Sequence, residues 1–158
     1  MAAEGEFALV RHHLEAALTL TGEWVGDHDL YAMLADAAGR QRDAAALRQY
    51  APLAEESADR YTHRLYQAIV HRAWGVAHML AGEFDAAEAR LNQALTLFGA
   101  LDTHWQIGRT HFELGELARA HSGHSAGRDN YAKALVEFEA IGAAPDALHV
   151  RKVVDQLS

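Results

Sequence analysis

One pattern recurs in this chain and narrows what it can fold into. A small residue on one helix-spaced stretch is followed, 19 positions later, by a small residue on the next: Gly75 with Ala94, and again Gly115 with Ala134. The two copies lie 115 − 75 = 40 residues apart. Self-similarity at such a period marks stacked units, each too small to bury its own apolar face and therefore packed on its neighbours.

The first copy runs from His71 to Phe98 and reads HRAWGVAHMLAGEFDAAEARLNQALTLF. Trp74, Ala77, His78 and Ala81 recur at helical spacing, and Gly82 then suits a left-handed helix C-terminus. Asp85 stands where a carboxylate can accept from the free N–H groups of a second helix. Leu91, Ala94, Leu95 and Phe98 form the apolar stripe of that helix at i, i+3, i+4 and i+7. Helices joined by so short a turn lie antiparallel and share a seam, and Gly75 and Ala87 are small where the backbones approach.

The slots filled by His71, Trp74, Gly75, His78, Ala87 and Leu91, with Gly82 and Phe84 at the turn, resemble the tetratricopeptide repeat. His111, Leu114, Gly115, Ala118, Gly127, Tyr131 and Ala134 fill them a second time. The period exceeds the family's roughly 34 residues, and Gly99 and Glu139 stand where its terminal proline belongs. Because the paired stretches agree, the added length falls between Ala94 and Gly115, as longer helices or a longer connection. Armadillo-like or HEAT-like pairing shares such a period. The resemblance implies an all-α, right-handed solenoid of antiparallel helical hairpins that binds a protein or peptide and performs no catalysis. The segment from Asn130 to Val153 is also similar to repeat arrays of large bacterial ATP-dependent transcriptional regulators and cyclase-like signalling proteins. That similarity implies a relative of a sensor array, a ligand-sensing regulatory module; self-association through the apolar surface, as a homo-oligomer, is a further alternative.

Taken in order, residues 1–22 hold an N-terminal helix from about Glu4 to Leu20 that serves as a cap and carries Phe7, Val10, Leu14, Ala17 and Leu18 on one face. Gly22 and Gly26 break the pattern around Trp24. Residues 27–57 form a degenerate unit: Asp27 starts a helix that contains Leu30, Met33 and Leu34 and ends at Gly39, and another runs from Arg42 to Ser57. There Gly39, Ala44 and Ala51 keep the spacing of Gly82, Ala87 and Ala94, while Pro52 either interrupts a helix or opens one. A unit over 58–99 begins with one long helix from Ala58 to Ala81. The unit over 101–141 begins with a helix from Thr103 to His121, N-capped by Asp102, turns at Ser122, Gly123 and His124, and continues through Tyr131, Leu135 and Phe138. Pro145 opens a closing helix over 144–158, with Ala147, Val150, Val154 and Leu157 sharing a face and Arg151 and Lys152 outside.

Composition excludes several partner classes. The 158 residues suit one domain with a continuous core. A formal charge of −8 opposes nucleic acid and anionic membrane surfaces as general partners. The chain has no cysteine, no apolar run long enough to cross a bilayer and no basic-then-apolar leader, so a cytoplasmic location is expected.

The chemistry-bearing residues point to binding. Eleven histidines include His71 with His78, His104 with His111, and His121 with His124 at ligand-like spacings. His71, His78 and His111 occupy slots where the repeat places packing aromatics, so seam filling is expected and no metal or other cofactor. Phosphate-binding loops, nucleophile elbows and HExxH pairs are absent, and acidic pairs such as Glu113 with Glu116 read as solvated faces. In the family, ligands lie against the first helices of successive hairpins. Carried over slot by slot, that surface comprises Ile69, Arg72, Ala73, Val76, Met79 and Leu80, then Arg109, Phe112, Glu113, Glu116 and Arg119. It sets an apolar wall against a mixed-charge wall, suited to an amphipathic helix or extended peptide.

Overall fold

A computed structural model of the chain describes residues 2–21, 27–123 and 126–157. Among them are eight helices and no strand: α1 (Ala2–Thr21), α2 (Asp27–Arg40), α3 (Ala44–Arg60), α4 (Arg64–Leu80), α5 (Phe84–Ala100), α6 (His104–Ser122), α7 (Arg128–Ala140) and α8 (Ala144–Asp155). None is long and apolar enough to cross a membrane.

The connections keep a beat of twenty residues except after α6, which runs on to Ser122, where positive φ falls at Gly123 (φ 99) and its N–H returns to Arg119, four positions back. Left-handed backbone falls at Arg42 (φ 56), Thr62 (φ 51), Gly82 (φ 78), Asp102 (φ 52) and Gly142 (φ 69). At each, the next residue's N–H returns to the carbonyl five positions back, as in Asp43 to Ala38, His63 to Ala58, Glu83 to His78, Thr103 to Phe98 and Ala143 to Phe138. This bond closes off the preceding helix by satisfying a carbonyl in its last turn. The length added to the period lies in the helices: α4 and α5 are 17 residues each, and three residues join them.

Three local expectations are corrected by this beat. The single helix expected over Ala58–Ala81 is two, because Tyr61–His63 turn and Thr62 is left-handed, so the unit boundary moves to that turn. Asp102 is not an N-cap; it takes the left-handed position, and Thr103 precedes α6 without a side-chain capping bond. In the early unit the offset is 40, not 43: Leu47, Ala51 and Ala54 match Ala87, Leu91 and Ala94, while Gly39 is helical and buried within α2. Pro52 stands inside α3. Gly22, Trp24, Gly26 and His124 lie outside the described residues.

Each helix from α2 onward packs on its sequence neighbours, and α4 also touches α2 and α6. At two seams the approach leaves no room for a side chain: a Cβ on Gly75 would sit 2.6 Å from Leu91 Cγ, and one on Gly115 would sit 2.6 Å from Tyr131 Cε1. Leu34, Leu47, Val70 and Val76 make one core cluster, Ile69, Ala94 and Phe98 a second, and Tyr131, Phe138 and Val150 a third. Among the described side chains of α1, Leu14 packs against the first core cluster, Arg11 is bonded to Asp43 at 2.6 Å and Glu15 accepts from Tyr50 at 2.6 Å. Burial and that carboxylate push the Tyr50 phenol up to about 12.

Candidate binding site

The face shared by α6 and α8, bordered by the C-terminal end of α2, forms a half-open cavity of about 680 Å³. Arg109, Phe112, Glu113, Glu116 and Arg119 line it from α6, Phe138 from α7, and Pro145, Asp146, His149, Val150 and Val153 from α8. Arg40 and Arg42 close it from α2 and the turn after it. These positions meet because an α-helix brings residues three and four apart onto one face, and the spacing of 109, 112, 113, 116 follows that rule.

Behind the cavity a charged network crosses α2, α4 and α6. Asp36 accepts from Arg72 Nη2 at 2.8 Å and from Arg109 Nη1 at 3.2 Å. The Arg72 and Arg109 side chains retain only 2% and 8% of their exposure, which makes this shared carboxylate their main compensation for lost water. Burial alone would raise the Asp36 carboxyl, but Arg109 and Arg72 hold it well below the usual carboxylate range. Burial pushes the Arg72 guanidinium down to about 10, against the pull of Asp36. Glu113 accepts from Arg42 at 2.6 Å, a bond spanning 71 residues of sequence, and lies 3.9 Å from Arg109 Nη2.

Trp105 sits beside the network, with the guanidinium carbons of Arg40 and Arg109 at 5.5 and 5.3 Å from its ring centroid. Its indole N–H donates to Asp146 at 3.1 Å and so ties α6 to α8. Burial and the neighbouring Arg109 both lower the Arg40 pKa. On the far side, Glu116 accepts from Arg119 at 2.8 Å and from the Tyr131 hydroxyl at 2.5 Å. Burial and Glu116 push that phenol far above its ordinary value. Phe112 lies between the rings of Tyr131 and His149, at 5.6 and 5.2 Å.

Of the residues expected to form a groove, the structure gathers Arg109, Phe112, Glu113, Glu116 and Arg119 at the cavity. The apolar wall is not a surface. Ile69, Arg72, Ala73 and Val76 are 9%, 1%, 2% and 2% exposed, and Met79 is partly buried against two core clusters. The cause is position: α4 has α2, α3, α5 and α6 packed around it, so its would-be ligand face is covered. Leu80, at its end, is 41% exposed. Sequence reasoning missed Asp36, Arg40, Arg42 and the α8 residues. A signal for α8 was present, because adding 40 to 109, 113 and 116 lands on His149, Val153 and Gln156, all at the cavity.

The histidines are spread over separate partners. His71 Nδ1 lies 2.9 Å from Arg90, His78 meets Glu83 and stacks on Trp74, His104 meets Glu137, and His121 packs edge-on against Phe84. Among the described residues no three His, Asp or Glu side chains converge as a metal-binding group. Comparison with protein-family models, curated proteins and solved structures finds no match to this chain.

Proposed function

We propose that the chain is a non-catalytic, cytoplasmic interaction scaffold: a divergent, tetratricopeptide-like right-handed solenoid of antiparallel hairpins that seats a peptide or helix of a protein partner between α6 and α8. The observation that carries this reading is the cavity itself, about 680 Å³, lined by Phe112 and Val153, by the core residues Phe138 and Val150, and by charged residues. Apolar surface beside a few polar groups suits an anchor side chain. Each of its carboxylates makes an internal contact, Glu113 with Arg42, Glu116 with Arg119 and Tyr131, and Asp146 with Trp105, which fixes the polar groups around the cavity in place.

Selection of a random-peptide display library on the immobilised chain tests the proposal, with Phe112→Ala and Val153→Glu as counter-baits and circular dichroism to monitor helicity. Enriched peptides are expected to bind the parent chain and to weaken by about tenfold or more on a folded Val153→Glu variant. No enrichment, or equal binding to both folded variants, overturns it.

A further inference from the structure

We infer that the segment seated in this cavity is acidic: an Asp or Glu side chain next to a large apolar one, the carboxylate on the Arg109 side and the apolar group against Phe112 and Val153. This inference rests on the peptide-binding reading and names what that peptide must carry. Charge is the first ground. The chain as a whole is −8, yet the cavity is lined by four arginines, Arg40, Arg42, Arg109 and Arg119, against three carboxylates, Glu113, Glu116 and Asp146.

Those carboxylates are engaged within the protein. Glu113 faces Arg42 at 2.6 Å, Glu116 holds Arg119 and Tyr131, and Asp146 takes the Trp105 N–H. Behind them, one carboxylate, Asp36, serves both Arg72 and Arg109. Among the described residues Arg109 hydrogen-bonds through Nη1, and its Nη2 is 3.9 Å from Glu113, beyond hydrogen-bond range. A guanidinium has five N–H donors in a planar fork that fits a carboxylate. An incoming carboxylate would add a further, charge-assisted acceptor to this arginine.

Other segments fit worse. A basic segment would set further cations among four guanidiniums, and a wholly apolar one would strip water from their N–H groups without replacing it. The apolar wall on α6 and α8 sits in the same cavity as Arg109, so acid and anchor have to be close along the segment.

The test uses peptides from the display selection, resynthesised with each Asp→Asn or Glu→Gln and measured by fluorescence anisotropy on the full chain at low and high salt. Enrichment of an acid beside a large apolar residue is expected, with about tenfold or greater weakening on amide replacement and weaker binding in salt. Arg109→Gln is expected to erase the preference of acid over amide. Because the amide swap alters only the peptide, its result does not depend on that variant folding. Peptides that need Val153 but are neutral or basic, or that bind equally as amides, overturn this inference and leave the peptide reading standing. Absence of any selected peptide overturns both.

Discussion

Replacing Gly115 with alanine isolates the close approach of α6 and α7. The new methyl would stand 2.6, 2.7 and 3.0 Å from Tyr131 Cε1, Cδ1 and Cζ, well inside the roughly 3.5–4.0 Å at which carbon atoms attract. The ring has nowhere to retreat: Tyr131 is 0% exposed and its hydroxyl is fixed to Glu116 at 2.5 Å. Overpacking of this kind costs roughly 1–3 kcal/mol, while alanine's better helix propensity returns about 1 kcal/mol. Gly99→Ala in α5 supplies the reference, since nothing lies within 4 Å of its Cβ position and only the propensity gain remains. Propensity largely cancels between the two variants, so the gap between them reports the clash, about 2 kcal/mol. At about 2 kcal/mol per molar urea, the unfolding midpoints should separate by on the order of 1 M, with Gly115→Ala the lower. Coincident midpoints would refute the claim that the ring forbids a side chain there.

The left-handed turn positions give a second prediction: Thr62→Gly should raise the melting temperature, with a gain of about 1 kcal/mol, and Asp102→Gly should raise it less, because aspartate tolerates this backbone better than a β-branched residue. Asp36→Asn leaves Arg72 and Arg109 without their shared carboxylate. About 3 kcal/mol should be lost at neutral pH, the low end for a broken buried pair because Asp36 keeps 23% side-chain exposure. Its folded carboxyl is held below the unfolded value of about 4. The contribution is therefore complete above that pH and lost as pH falls toward the folded value, so parent and variant stabilities measured by denaturant titration should converge in acid. For His71, burial and then Arg90 lower the pKa, and for His111 burial does so. The unfolded chain then takes up protons first, and stability should fall as pH drops below about 6.5. Urea midpoints across that range should show a shallower decline in the His71→Gln, His111→Gln double variant.

Glycine, proline and small-residue spacing made much of the helical framework legible. Gly82 is left-handed, Gly75 and Gly115 stand at tight seams, and Pro145 lies in the first turn of α8. The turns at 42, 62 and 102 were hidden because arginine, threonine and aspartate occupy the left-handed position, held there by the helices on either side. Gly39 misled in the opposite direction, since it is a buried helical residue one position before the end of α2, not the left-handed residue of the turn, which is Arg42. For the site, residues on one helix were readable from their spacing, as with Arg109, Phe112, Glu113 and Glu116. Pairs between helices were not: Asp36 with Arg72 or Arg109, and Arg42 with Glu113, lie 36, 73 and 71 positions apart. Burial of Ile69 and Val76 depends on what covers α4, and no periodicity within α4 states that.

The twenty-residue beat makes length a quantised property of this chain. One residue inserted early in α5 would rotate the rest of that helix by about 100°, turning buried Ala94 and Phe98 toward water and bringing Gln93 and Leu97 into their places. A whole block is different. Excising 64–103 would join the turn that ends at His63 directly to His104, the first residue of α6, at the same phase. Descendants of such a chain can therefore shorten by losing, or grow by duplicating, blocks of forty residues.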